Sequence, residues 1–497
     1  MLEGVPPYAK AYNMKMPGIY AAYAVIMAAF GQTPAGIHLG LLVINAVTIV
    51  LVFLLARRIY DPFTGAAAAG FFALLSLSPS VQGIFANAEH FVILPALGGI
   101  LLLLRAVESG RGGGEGGEGG GGSLFLIGLL LGVAFIMKQH GAFFVAFGGL
   151  YLLFGELGRR PVVWSRCVRR CLLFSAAAAL PLVLTCTILF YAGVFDRFWF
   201  WTFVYPREYL AQTDLSVGLR VLWLRLAIMY GSAAFVWGLA TMGLVSILCN
   251  KRTRDRSLFP AGFIAASLLS TCPGLYFRPH YFILLLPAIA LLGGVGASSV
   301  ARLFFNARTP AFKKGAAAVL ALAAFFHGAY QENDFFFRMG PLEATRKVYG
   351  IRPFPETVEV ASYIREHSSD NDSIAVIGSE PQIYFYSGRR SATGYIYTYA
   401  MLEDHEYALK MQREMAREIE SARPEFLVFV NALSSWGVSE WPGGFIFDWF
   451  DEYRRKHFDL VGVVHIVSPE RTVYRWGEEV SGYPPLSDNR LDIYKRK

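Results

Sequence analysis

Lys15 is the first residue whose type and setting suggest chemistry. It lies in Asn13-Met14-Lys15-Met16-Pro17-Gly18-Ile19-Tyr20, beside a Pro-Gly turn and ahead of an aromatic, apolar run. A lysine ammonium is a compact point charge, and a low-dielectric boundary strengthens its attraction for phosphate. The segment is therefore placed to hold a lipid phosphate. The competing reading is an interfacial lysine that snorkels. Other short polar clusters interrupt the apolar sequence: Ala86-Asn87-Ala88-Glu89-His90, Lys138-Gln139-His140-Gly141, Tyr205-Pro206-Arg207-Glu208 and Tyr276-Phe277-Arg278-Pro279-His280-Tyr281.

The elements that must position these clusters are apolar. The 497 residues are 55% hydrophobic and only 16% charged, with a mean hydropathy of +0.42. Several windows exceed the ~20 apolar residues that cross a bilayer. The chain reads as a polytopic α-helical membrane protein. Its net charge of +8 does not point to nucleic acid, because the basic residues gather in short loops between apolar runs. Cys167, Cys171, Cys186, Cys249 and Cys272 lie in or beside apolar segments at no metal-ligand spacing, and read as small apolar fillers.

Residues 1–35 read as an outer-face loop followed by an interfacial or re-entrant helix, without the pattern of a signal peptide. Residues 36–331 read as the membrane domain. Spans are expected at about residues 37–56, 65–85, 91–104, 124–137, 142–154 and 171–191. Four more run up to residues 251, 276, 302 and 330. Residues 109–122 are a Gly/Glu-rich linker expected to be disordered. Residues 195–222 are rich in Trp, Phe and Tyr and read as an interfacial aromatic belt. Placing Arg57, Arg58, Arg105, the arginines of 159–170, the basic residues of 251–256 and those of 302–314 on the cytoplasmic side gives about ten spans, with both termini outside. Lys15, Glu89, Lys138, His140, the 195–222 stretch, Arg278 and His280 then share the outer face.

Residues 332–497 are polar. Helices are expected at about 358–367, 403–422 and 449–457, and strands at 373–378, 425–430, 459–467 and 471–476. This alternation indicates a small α/β domain. Glu403, Asp404, His405 and Glu406 resemble a metal site only in composition. A solvated helix start is the favoured reading.

These motifs, taken in order, resemble the polyprenyl-phosphate-sugar glycosyltransferases of the GT-C fold, and most nearly glycosyltransferase family 39. That family contains the protein O-mannosyltransferases and the lipid A aminoarabinose transferases. The segment Asn13 to Tyr20 is similar to the family's N-x-K-P-P-G-x-Y. Ala86-Asn87-Ala88-Glu89 is similar to its loop with a second acidic residue, and Met137-Lys138-Gln139 and Arg278-Pro279-His280-Tyr281 also match. The resemblance covers roughly residues 1–330. The C-terminal domain looks like the outer-face domain of some bacterial members, which implies a bacterial inner (plasma) membrane protein with that domain extracytoplasmic. Family members carry a further N-terminal span and an acidic first loop. The resemblance thus implies a glycosyltransferase in which Met1 falls inside that loop and the first span and first catalytic acid are missing from the chain as given, which leaves the activity of this truncated form open.

The implied reaction is inverting transfer of a sugar from a polyprenyl-phosphate donor to a hydroxyl of a lipid, glycan or protein acceptor. It needs a carboxylate base near the acceptor and cations for the departing phosphate. Under the resemblance Glu89 is the catalytic candidate, and Lys15, Lys138, Arg278 and His280 the phosphate ligands. Tyr20, Tyr205, Arg207 and Tyr281 are candidates for the substrate groove. No cofactor is assigned. A divalent metal near Glu89 and His90 stays open, although two ligands do not make a site. The alternatives are a lipid-linked-sugar transporter, which would need charges at mid-membrane on broken helices, and an inactive membrane scaffold.

Overall fold

Helix-starting signals recur along the first part of the chain. Thr33-Pro34, Asp61-Pro62 and Thr309-Pro310 each place an oxygen-bearing cap before a proline at the first helical position. The computed structural model describes residue 2 and residues 4–109, 121–159, 161–249, 258–304, 309–438, 440–441, 443–484 and 486–497. The helices, in chain order, are α1 (Pro17–Phe30), α2 (Pro34–Ile59), α3 (Pro62–Leu75), α4 (Ala88–Ser109), α5 (Gly121–Met137), α6 (Ala142–Leu157) and α7 (Trp164–Tyr191). The short α8 (Phe195–Trp199) and α9 (Tyr205–Ala211) follow. Then come α10 (Leu215–Ser232), α11 (Ala234–Cys249), α12 (Leu258–Leu269), α13 (Leu286–Phe304), α14 (Pro310–Gln331) and α15 (Asn333–Phe337).

The chain divides into two compact units. A helical unit comprises residues 1–2, 15–191 and 213–338, and a second unit comprises residues 3–14, 192–212 and 339–497. In the helical unit, six described segments are long and apolar enough to cross a membrane: Pro34–Ile59, Ala88–Glu108, Gln139–Leu157, Trp164–Tyr191, Leu215–Ser232 and Leu286–Phe304. Five apolar helices are shorter, α1, α3, α5, α11 and α12. The protein is an integral membrane protein. The span expected at 65–85 differs: its helix stops at Leu75, and the chain turns through Ser78-Pro79-Ser80 into a left-handed Gln82. The apolar stretch before residue 251 is two helices, not one, broken at Ala233. The linker at 109–122 lies outside the described residues, apart from the helical residues at its two ends.

The core of this unit is built around α13, which is buried along most of its length. Gly243 of α11 and Gly296 of α13 sit against backbone carbonyls of the facing helix, where a Cβ would collide. Small residues allow such close crossings where lipid supplies no hydrophobic drive between helices. The ends of the helices can be matched by their pairs. Glu89 begins α4, and Glu108 near its end pairs with Arg58 at the end of α2 at 2.8 Å. Helix α2 therefore starts at the Glu89 end of the unit. Helix α1 begins there too, and its end is joined to α2 by three residues. Helix α1 thus lies along one end of the unit, as an interfacial helix would.

The second unit continues with α16 (Pro341–Tyr349), α17 (Glu356–Glu366), α18 (Gln382–Ser387), α19 (Ala408–Ala422), α20 (Leu433–Trp436) and α21 (Phe445–His457). Its strands are β1 (Ser373–Ile377), β2 (Arg390–Ser391), β3 (Phe426–Asn431), β4 (Phe458–Ser468), β5 (Arg471–Trp476) and β6 (Arg490–Arg496). They form one six-stranded sheet in the order β2-β1-β3-β6-β4-β5. β1 runs parallel to β2 and β3, whereas β6 is antiparallel to β3 and β4. Ile374, Val376, Phe426, Val428, Leu491 and Ile493 form the buried centre. The fold is thus a polytopic helical membrane domain with a C-terminal α/β domain.

Residues of the N-terminal segment and of the aromatic stretch belong to this second unit. Tyr12 donates its backbone N–H to Gly394 O at 2.7 Å and its hydroxyl to Glu418 at 2.9 Å. Phe198, Trp201 and Tyr205 are buried at 0%, 6% and 2% exposure, whereas Trp199 is 46% exposed, so the aromatic stretch is part buried and part exposed. Residues from 215 onward are the start of α10. The charged helix expected at 403–422 starts only at Ala408, and Glu403 accepts a hydrogen bond from the Tyr205 hydroxyl rather than standing in water.

Candidate phosphate and carboxylate site

Met16-Pro17-Gly18 sets the position of Lys15. Met16 is fully buried, and Pro17 opens α1 with its fixed φ. Gly18 abuts the end of α5: a Cβ there would lie 2.5 Å from Ile136 O and 3.1 Å from Met137 N. The start of α1 is thereby docked on the end of α5. Lys15, two residues before α1, and Lys138, the residue just after α5, come close enough for each to feel the other's charge.

Lys138 leaves α5 in an extended conformation and caps a short turn, Gln139–Gly141. Its ammonium forms an ion pair with Glu89 Oε1 in the first turn of α4. The Glu89 side chain is only 1% exposed, and that of Lys138 is 17% exposed. The same ammonium lies 4.1 Å from the ring centre of Tyr281, a cation–π contact that fixes it from a second side. His280 Nε2 is 4.0 Å from Glu89 Oε1, and its Nδ1 is 3.1 Å from Gln82 Oε1. Tyr281 also packs edge-on with His280 and with His140, whose Nδ1 meets Ser270 O at 2.7 Å. Glu89 Oε2 has no hydrogen-bond partner among the described residues. A carboxylate, two lysines and a histidine are thus drawn from four separate stretches of sequence to one end of the helical unit.

The charges of the site act on one another. Lys15 is exposed by area, yet burial by surrounding protein, followed by the charge of Lys138, lowers its pKa, against a smaller opposing effect of Glu89. His280, in the turn between α12 and α13, is lowered to about 4, first by burial, with Glu89 opposing and Lys138, Lys15 and Arg278 adding to it. With no phosphate bound, burial thus favours the neutral form of this imidazole. Arg278 is exposed and stacks over Tyr276 at 5.1 Å. Tyr20 packs with Ile19, Ala88, Phe91 and Met137 in the apolar cluster beside Glu89.

Tyr205 and Arg207 fall in the second unit, not the helical one. Tyr205 is buried there on Glu403, Trp201 and His405, while Arg207 is exposed. Among the described residues, no three His, Cys, Asp or Glu side chains gather to hold a metal ion. Gln82 and Tyr23 went unread in the sequence. Gln82 takes φ +55° and holds His280, while Tyr23 donates its hydroxyl to Ala86 O at the Glu89 loop. The signal for Gln82 was present in Ser78-Pro79-Ser80, a turn signature inside an apolar run.

The fold is similar to that of glycosyltransferases of the GT-C class. A family model described as dolichyl-phosphate-mannose-protein mannosyltransferase matches residues 14–191. The oligosaccharyltransferase AglB from Archaeoglobus fulgidus, solved with an inhibitory peptide and a dolichol-phosphate, is similar in structure. It is 12% identical with a TM-score of 0.54, and the match covers 96% of this chain and 68% of that one. ArnT from Cupriavidus metallidurans bound to undecaprenyl phosphate is 13% identical with a TM-score of 0.58, over 98% of this chain and 89% of that one. The apo state of the same ArnT aligns with a TM-score of 0.55 at 14% identity, covering 98% and 88%. No curated protein matches the sequence. The matched family and these neighbours are glycosyltransferases, and the resemblance read from the motifs stands.

Proposed function

We propose that the chain moves a sugar from a polyprenyl-phosphate donor to an acceptor hydroxyl at the outer face of the membrane, with inversion at the anomeric carbon. The observation that carries this reading is the convergence of Lys15, Lys138, Glu89 and His280 at one end of the helical unit. ArnT binds undecaprenyl phosphate and AglB a dolichol-phosphate, which supports a lipid phosphate as the anchor of the donor here. Lys15 and Lys138 neutralise the phosphate as the glycosidic bond breaks and negative charge grows on the leaving oxygen. Glu89 holds Lys138 in place through Oε1, and its carboxylate is the acidic group beside the phosphate cations. His280, tied to Gln82, stands 4.0 Å from Glu89 Oε1 beside the same group of charges. Arg278 stands at the rim as an exposed cation for the headgroup. The charges sit at helix ends rather than at mid-membrane, which fits interfacial chemistry better than transport.

The test is a transfer assay with the purified full-length protein in proteoliposomes, supplied with a panel of polyprenyl-phosphate sugars. Transfer with inverted anomeric configuration, reduced at least about 100-fold in Lys15→Ala, is the expected result for loss of a charge that acts on the transition state. Transfer that is indifferent to Lys15→Ala and Lys138→Ala contradicts the assignment.

A further inference from the structure

A second charged cluster lies at the other end of the same helices. Glu156, near the end of α6, is 5% exposed and faces three arginines. Its carboxylate oxygens are 3.3 Å from Arg159 Nε, 3.3 Å from Arg166 Nε and 3.2 Å from Arg170 Nε. One carboxylate against three guanidinium groups leaves an excess of two positive charges. Arg170 is the deepest, with its side chain 9% exposed, and its Nε and Nη2 have no hydrogen-bond partner among the described residues. Charged donors buried without partners are costly, so the cluster is incomplete as an ion-pair network. Forked guanidinium donors of this kind match the oxygens of a phosphate.

Geometry says which phosphate. From Ala142, next to the Lys138 turn, to Glu156 the rise along α6 is about 21 Å. Helix α4 spans the same interval between Glu89 and the Arg58–Glu108 pair. The arginine cluster is therefore separated from the Lys15 site by most of a hydrocarbon thickness of roughly 30 Å. An apolar stripe of exposed residues, Trp164, Val168 and Leu172, runs along α7 at four-residue spacing from beside Arg166 and Arg170. Leu150, Phe154 and Leu157 are likewise exposed on α6. Acyl chains fit beside such stripes, whereas a free phosphate gains nothing from them.

We infer that the Glu156–Arg159–Arg166–Arg170 cluster binds the headgroup phosphate of an anionic phospholipid in the leaflet opposite the Lys15 site. The probe is native mass spectrometry of the full-length protein purified in detergent and titrated with phosphatidylglycerol or phosphatidylcholine, paired with thermal unfolding. The wild type retains phosphatidylglycerol in preference to phosphatidylcholine and gains several degrees in Tm. Arg166→Gln, at a half-exposed position that should not disturb folding, loses at least fivefold of that retention. Arg166→Gln/Arg170→Gln loses it entirely, while Lys15→Ala keeps it. Equal retention of both lipids, or unchanged retention in Arg166→Gln, overturns the inference. A Tm rise with inorganic phosphate as large as that with lipid also overturns it, because the site would then be one for free phosphate.

Discussion

Lys138 and Glu89, 49 positions apart in the sequence, form an ion pair whose carboxylate is 1% exposed. Neither residue can be removed singly without stranding the other. Lys138→Met leaves a buried carboxylate unpaired and is expected to cost about 3 kcal/mol. The double variant Lys138→Met/Glu89→Gln removes both charges and should recover most of that loss. Thermal unfolding of the four proteins in one detergent measures the coupling. Additive losses would mean that the two side chains do not interact.

Gly18 is where a backbone contact sets the site. A Cβ would meet Ile136 O at 2.5 Å, and the obstacle is backbone rather than a flexible side-chain tip. Gly18→Ala should therefore push α1 off α5 at a cost on the order of 1–3 kcal/mol. It should also weaken donor binding by separating Lys15 from Lys138. A Gly18→Ala protein with unchanged Tm and unchanged donor affinity would show that the docking is not needed.

His280 gives a pH signature. Its folded-state pKa is lowered to about 4 from an ordinary value of 6.5. As pH falls from 6.5 towards 4, the unfolded chain takes up a proton that the folded chain refuses, so stability drops through that window and is constant above it. His280→Gln should flatten the profile between pH 6.5 and 4 relative to the wild type. Lys15 acts in the opposite range: its lowered pKa means that its charge, and the phosphate binding it supports, is lost at a less alkaline pH than for an ordinary lysine. Identical pH–stability curves for wild type and His280→Gln would count against a buried, neutral histidine.

Much of this was legible in the sequence, because charged residues at the ends of apolar runs have few places to go. Lys15, Glu89, Lys138 and His280 all lie at the edges of apolar runs in the sequence, and the structure draws them to one end of the helical unit. The pairing itself was not readable. That Lys138 grips Glu89, and that His280 leans on Gln82, depends on burial and on a left-handed turn at residue 82. The spans failed where apolar composition outlasts the helix, as at Leu75 and Ala233. The aromatic stretch is ambiguous in sequence for a related reason. Trp and Tyr suit a membrane interface, but Tyr205 is equally suited to a protein interior where Glu403 takes its hydroxyl. Strand β6 escaped notice because Arg490, Asp492 and Lys495 give it the charge of a surface segment, although Leu491 and Ile493 are fully buried.

The central claim is that Lys15 and Lys138 hold the phosphate of a lipid donor, and binding tests it without requiring turnover. The measurement is equilibrium binding of undecaprenyl phosphate to the full-length protein in nanodiscs, with the uncharged polyprenol as the control. Saturable binding of the phosphate but not the alcohol, weakened about tenfold or more by Lys15→Ala and again by Lys138→Ala, is the expected result. Equal affinity for phosphate and alcohol, or affinity unchanged by both substitutions, would contradict it.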